Sequence, residues 1–293
     1  MEEFLTVAAV ARRLGVASAT LRTWDRRYGL GPSHHEAGAH RRYSMGDLAR
    51  LTVMRRLITT GVAPSEAAET ALAHEGEITL EALLDEPRDR SELVETLYRA
   101  AFALDPALIE ELIFKEIREF KIIRTWEEIL LPLLKKVGEN WAKTGKDIEI
   151  EHLLSEIILK TLRFSEVRNP INPRPVLLAA VRDEQHTLPL YALAAALAER
   201  NIEAFFLGAR TPLSALSAMI TRAAPPAIFL WALGEDEGDG KFFRDIPVVR
   251  PAPRIILGGP GWNSADYGSI THVMDLQSAC EQIEQAIGWE SPR

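Results

Sequence analysis

The sequence predicts a multidomain chain built from α and α/β segments, and three patterns predict it. Short helix-forming stretches broken at Gly15, Gly29–Gly31 and Gly61 fill residues 1–75. Apolar residues at helical spacing then run through 76–168, most continuously from 88. Beyond 174, strand-like apolar runs alternate with helical ones. A chain of 293 residues is long enough for two or three domains, at roughly 150 residues each.

In the first region Ser18 is expected to cap a helix reaching Tyr28, with Leu21, Trp24 and Tyr28 at helical spacing. Ser44 is expected to start another, with Asp47 in its first turn. Between them GLGPSHHEAGAHRRY is rich in Gly, Pro and His and reads as a loop or small wing. In the second region breaks fall at Asp105–Pro106, Pro132 and Gly145, while Leu130, Leu133, Leu134 and Val137 keep one apolar face. Helices joined by short turns make a bundle, here of four helices, with Pro132 early in its helix or at a kink. The run NPINPRP, 169–175, cannot be helical and reads as a stiff linker and domain boundary.

In the third region strands are expected at Val176–Val181, Ala204–Leu207, Ala227–Leu233 and Arg254–Leu257. Helices are expected at Leu190–Arg200, Leu213–Ala223 and Gln277–Ile287. That alternation implies a parallel sheet with helices on both faces, a flavodoxin-like (Rossmann-type) domain over 174–293. Ligands of such sheets bind at the C-terminal strand ends.

Composition narrows the function classes. No apolar run approaches the ~20 residues of a membrane helix. The start, MEEFLTVAAVARRLG, lacks the basic opening of a secretory signal. Cys280 is the single cysteine, which excludes a disulfide framework and a Cys-rich zinc site and predicts a cytoplasmic protein. The net charge is −8, yet from Ser18 to Arg56 eight arginines (22, 26, 27, 41, 42, 50, 55, 56) face three acids. A basic patch in an acidic chain is the footprint of a polyanion partner, or else a solvated helix face.

The stretches LTVAAVARRLGVASATLRTWDRRYGL, AGAHRRYSMGDLARL and LITTGVAPSEAA resemble the DNA-binding domain of the MerR family of transcription regulators over residues 4–72. The resemblance implies a winged helix-turn-helix in 1–75, with Ser18–Tyr28 entering the major groove of double-stranded DNA. Arg22 and Arg26 share a face at i and i+4, and Arg27 flanks them. Trp24 and Tyr28 share another face, from which the Tyr28 hydroxyl can reach a phosphate. His40, Arg41, Arg42 and Tyr43 would form the wing. Trp24 is equally readable as a core aromatic. MerR-type proteins dimerise, so a pseudo-palindromic operator is expected.

Three further stretches resemble the cobalamin-binding, light-responsive repressors of the CarH and LitR type, and the cobalamin module of methionine synthase. ENWAKTGKDIEIEHLLSE carries Trp141 and the Glu151–His152 pair of that family's bundle. Asp183-Glu184-Gln185-His186 follows the first strand and fits the family's axial-ligand loop. Leu257-Gly258-Gly259 follows the Arg254–Leu257 strand. The resemblance implies a tetrapyrrole, first of all cobalamin, with His186 as the metal ligand and Glu184 fixing its tautomer. Trp141 would lie over the upper face, and Gly258 and Gly259 would let a nucleotide tail approach the backbone. It also implies repression and a homo-oligomer, dimer or tetramer.

The chain departs from that pattern at three places. Pro189 stands where the family has glycine after the histidine. Trp231 ends the third strand, where the family has the small serine that lines the tail slot. Ala142 replaces the second histidine of the light-sensing members. The cleft is therefore also readable as a site for a haem or bilin without a tail, held by His152 or His186, or as a ligand-free oligomerisation module. An enzyme class, a cobalamin carrier for methyl transfer or a mutase, is the rival, but the DNA-binding segment has no place in that chemistry.

Overall fold

A computed structural model describes residues 4–33, 41–59, 61–73, 90–163, 167, 169–234, 246–262 and 270–288. The chain divides into two compact units, Met1–Glu111 and Leu112–Arg293.

The first unit opens with β1 (Leu5–Thr6), α1 (Val7–Leu14) and α2 (Ser18–Tyr28). It continues with β2 (Arg42–Tyr43), α3 (Met45–Thr59), α4 (Pro64–Leu72), α5 (Arg90–Phe102) and the first turns of α6 (Pro106–Thr125). β1 pairs antiparallel with β2, Leu5 opposite Tyr43 and Thr6 opposite Arg42. The Thr6 hydroxyl accepts the Ala9 N–H at 3.3 Å and caps α1. Gly15 ends that helix at φ +63°, a left-handed conformation that costs a Cβ-bearing residue more. The cap of α2 differs from expectation. Ala17 holds the extended cap position without a side-chain bond, and Ser18 is already helical.

α3 begins as predicted. Asp47 N–H donates to the Ser44 hydroxyl at 3.1 Å, and the Asp47 carboxylate accepts the Ser44 N–H at 2.9 Å. This reciprocal pair satisfies two amides that the helix itself leaves open. Asp47 is buried, and it also accepts the Ser33 N–H at 3.1 Å, which ties the loop after α2 to α3. Burial would raise its pKa, but the bonds from Ser33 and Ser44 outweigh that and hold it below the ordinary value. Leu21, Trp24, Leu30, Tyr43, Leu48, Leu51, Val53 and Met54 pack together as the core of these elements. Between α5 and α6, Asp105 caps α6 through the Leu108 N–H and accepts from Arg55 of α3 at 3.1 Å. Arg55 also donates to the Ala103 carbonyl at 2.9 Å.

In the second unit α6 is interrupted at Lys121, whose φ of +69° and ψ of 168° are not helical. The Ile122 N–H freed by the break donates to Glu199 at 3.3 Å. A π-helical turn (Trp126–Leu130) runs without a break into α7 (Leu131–Thr144), and Pro132, which has no N–H to donate back along the helix, follows directly on that wider turn. Gly145 closes α7 at φ +66°, and α8 (Ile148–Leu162) follows.

The sheet consists of β3 (Val176–Ala180), β4 (Ala204–Phe206), β5 (Ala227–Trp231), β6 (Arg254–Gly258) and β7 (Thr271–Val273). The helices between and after them are α9 (Leu188–Ala198), α10 (Leu213–Ala223) and α11 (Leu276–Ala286). The strand order is β4-β3-β5-β6-β7, and every pairing is parallel. The order reverses direction beside β3, so the crevice for a ligand lies at the carboxyl ends of β3 and β5. Leu216 and Ile220 of α10 pack on Leu177, Ile228, Leu230 and Leu257, one alternate set of strand residues. α9 and α11 pack on each other and on β3 and β6, covering the other set. β7 is not legible in the sequence because Thr-His-Val is too short to show alternation.

The NPINPRP stretch is not a free linker. Asn172 is buried, its amide donates to the carbonyls of Arg174 and Glu203, and its side-chain oxygen accepts the Glu203 N–H at 2.8 Å. The stretch is thereby tied to the entry of β4, inside the second unit.

Candidate functional site

The eight arginines separate by what they touch. Arg41 pairs with Asp25 at 3.0 Å, Arg50 with Asp47 at 2.9 Å, Arg55 with Asp105 at 3.1 Å and Arg56 with Glu111 at 3.5 Å. Four charges are thus used inside the unit. Arg22, Arg26 and Arg27 on α2, and Arg42 on β2, are exposed and enter no ion pair among the described residues. These four form the part of the basic patch open to a polyanion.

Two expected DNA contacts are corrected by burial. Trp24 is 7% exposed and Tyr43 is 0% exposed, both in the hydrophobic core. Their apolar rings are worth more to packing than to a base edge. Burial also raises the Tyr43 hydroxyl pKa, with the Asp25 charge adding to it. Arg41 is a clasp between the wing strand and α2 through Asp25, so fewer of its donors remain for phosphate. Tyr28 is half-buried and packs against the core edge. His40 lies outside the described residues.

At the sheet's carboxyl edge the loop after β3 brings Glu184 and His186 together. Glu184 is 3% exposed. It accepts the His186 N–H at 2.7 Å, the Leu233 N–H at 2.6 Å and the Gly234 N–H at 3.3 Å. Its Oε1 also stands 2.7 Å from Nδ1 of the His186 ring. Burial alone would raise the Glu184 pKa, but these bonds outweigh it and hold the carboxyl below its usual range. An ionised carboxylate only accepts, so Nδ1 carries the proton and Nε2 of the neutral ring keeps its lone pair. The ring itself is exposed. His186 is therefore an oriented imidazole presented at the crevice, the arrangement a metal-ligating histidine uses.

Leu233 and Gly234, which the sequence pattern does not single out, supply half of that arrangement through backbone N–H groups. No side-chain pattern announces such donors. Arg210, equally silent in the sequence, pairs with Asp183 at 2.8 Å and donates its N–H to the Glu184 carbonyl at 2.9 Å, bracing the same loop.

The expected glycines are occupied by the protein's own groups. A Cβ on Gly258 would meet the Phe229 ring at 2.1 Å, and one on Gly259 would meet the Ala232 carbonyl at 2.3 Å and the Trp231 ring at 2.9 Å. His272 stands 2.8 Å from the Gly259 carbonyl, and Trp262 donates to that of Gly258 at 3.0 Å. Trp231 Nε1 is buried without an acceptor among the described residues.

On the helical side, Trp141 is 47% exposed near the end of α7. His152 is exposed on α8, with Nδ1 2.7 Å from Glu151, which accepts the Ser155 hydroxyl at 2.9 Å. No hydrogen bond or ion pair among the described residues joins Trp141, Glu151 or His152 to His186. α8 meets α9 through Arg163, which donates to the Tyr191 hydroxyl at 2.8 Å and lies over that ring. Burial pushes the Cys280 thiol up to about 12, so it is no nucleophile. No group of three or more His, Cys, Asp or Glu that could hold a metal ion occurs among the described residues.

Residues 5–73 match the model of the MerR HTH family regulatory protein, and residues 93–164 match the B12 binding domain. The chain joins a MerR helix-turn-helix to a B12-binding domain. The HTH-type transcriptional repressor CarH of Myxococcus xanthus is 26% identical over 267 residues, 89% of this chain and 88% of that one. The repressor CarA of the same organism is 27% identical over 266 residues, 88% and 87% of the two chains. Among solved structures, the methanol:cobalamin methyltransferase complex of Methanosarcina barkeri has a TM-score of 0.34 at 14% identity, covering 74% of this chain and 88% of that one. A cobalamin-binding protein of Desulfitobacterium hafniense has 0.31 at 17%, covering 67% and 98%. The MerR match spans the four open arginines, and the B12-binding match spans Trp141, Glu151 and His152. No helix among the described residues is long and apolar enough to cross a membrane.

Proposed function

We propose that the chain is a DNA-binding transcription regulator, a repressor, whose C-terminal module senses a corrinoid bound at the sheet edge. The DNA-binding part rests on the MerR match together with the four open arginines. The observation that carries the sensing part is the Glu184–His186 pair. A buried carboxylate holds the ring by Nδ1, so that the neutral imidazole turns the lone pair of Nε2 to the crevice. One imidazole suits a cobalt ion whose equatorial ligands come from the corrin. When bound, a corrinoid would supply a cobalt ion for the His186 imidazole to hold. Glu184 fixes the imidazole, and Leu233 and Gly234 fix Glu184.

A ligand that contacts both α7–α8 and the strand ends favours one arrangement of them, and the favoured arrangement sets the DNA affinity of a homo-oligomer. The decisive experiment is an absorption titration of the full chain with hydroxocobalamin, followed by gel shift with and without the corrinoid. Corrin bands that move on binding, and an operator affinity that changes with them, are expected. A spectrum that is the sum of its parts, or a Soret or bilin band in the purified protein instead, overturns the corrinoid reading. An unchanged gel shift overturns the sensing.

A further inference from the structure

The carboxyl end of the sheet, on the face covered by α9 and α11, has a slot that this chain fills itself. In register across that end stand Ala180, Trp231 and Gly258. Trp231 stands between an alanine and a glycine in register, so apart from its own ring and that of Phe229 the row is low, a trough on this face of the sheet. α9 and α11, which pack on β3 and β6, carry further small buried residues, Ala192 and Ala196 on one and Ala279 and Cys280 on the other.

Here the trough holds the Trp231 indole. The benzo edge lies over Gly259, where a Cβ would stand 2.9 Å from it, and the Phe229 ring fills the place of a Cβ at Gly258. The indole N–H is buried without an acceptor among the described residues. What the ring contributes among the described residues is its volume. His272 and Trp262 close the loop below by bonds to the Gly259 and Gly258 carbonyls.

We infer that the site binds the corrin ring but not the nucleotide tail, so that tail-free corrinoids are ligands at least as good as cobalamin and the tail of any cobalamin stays outside the sheet. Trp231 is the residue that sets this specificity. The inference rests on the proposal that the module takes a corrinoid at His186.

The test titrates the full chain with hydroxocobalamin and with hydroxoaquacobinamide, the same ring lacking the nucleotide, and follows the corrin absorption. The unaltered protein is expected to bind cobinamide as tightly as cobalamin or more tightly. Trp231→Phe keeps the plug without the N–H and is expected to leave that ratio unchanged. Trp231→Ala empties the trough and is expected to shift the ratio towards cobalamin by roughly tenfold or more. Cobalamin bound roughly tenfold tighter than cobinamide by the unaltered protein overturns the inference and leaves the corrinoid proposal standing. So does a folded Trp231→Ala protein with an unshifted ratio. If Trp231→Ala does not fold, the ratio in the unaltered protein decides alone. Binding of neither ring overturns both the inference and the corrinoid proposal.

Discussion

Two histidines in this molecule sit at the same distance from a carboxylate, 2.7 Å from Nδ1, and differ in everything that surrounds it. Glu184 beside His186 is buried and held by three backbone N–H groups. Glu151 beside His152 is its immediate chain neighbour on an exposed helix face and takes one other bond, from Ser155. The first carboxylate has no freedom to leave, so the first imidazole is oriented before any ligand arrives. The second pair exchanges its contact with water at little cost. The arginines repeat the contrast. Arg41 and Arg22 carry the same charge, but one is spent on Asp25 and the other is open to solvent. What a charged or metal-ligating side chain can do is set by its neighbours' claims on it.

Substitutions sharpen the contrast, and the largest effect belongs to the ligand itself. His186→Ala is expected to lower corrinoid affinity about a hundredfold, at the upper end of what a supporting partner alone is worth. His152→Ala is expected to leave it unchanged, and a comparable loss in the two variants would break the comparison. Next, Glu184→Ala orphans the Leu233 and Gly234 N–H groups and is expected to cost about 1–3 kcal/mol in urea unfolding. Glu151→Ala on the exposed pair is expected to cost less than ~1 kcal/mol.

The pH dependence has a definite sign. The Glu184 pKa is lower folded than unfolded, so its stabilisation is complete above the free carboxylate value of about 4.3. It fades as the pH falls through the lower, folded value. Glu184→Gln is expected to flatten the acid limb of stability against pH, and an unaltered limb would show that the carboxylate is not held as described. Smallest in free energy are the arginines. Arg22→Ala with Arg26→Ala is expected to reduce the salt slope of operator binding by about 0.9 for each phosphate that these side chains neutralise. Arg41→Ala, whose charge is engaged by Asp25, is expected to change that slope less in the same gel-shift series.

The order of elements is legible in the sequence because periodicity carries it. Helix α10 falls where the 3–4 spacing puts it, and the parallel sheet follows from alternating runs. Glu184-Gln185-His186 is legible as a pair because the two residues are close in sequence. The donors that immobilise Glu184 are not, since Leu233 and Gly234 are 49 and 50 residues away and act through their backbone. Trp24 and Tyr43 mislead for a different reason. An aromatic on a basic, amphipathic element satisfies the pattern for a DNA contact and for a core anchor alike, and only its packing decides. Trp231 stands out in the sequence as a departure, but that its ring lies on Gly259 depends on the register of β5 with β6, which local pattern does not encode.

α9 joins two features of the second unit. Its first turn follows directly on the His186 loop, and Glu199, one residue past its last, answers the amide exposed where α6 breaks at Lys121. Eleven residues of helix make a rod of about 16 Å, and such rods transmit displacement rather than absorb it. Glu199 thereby sets the amide freed at the Lys121 break one helix length from the His186 loop.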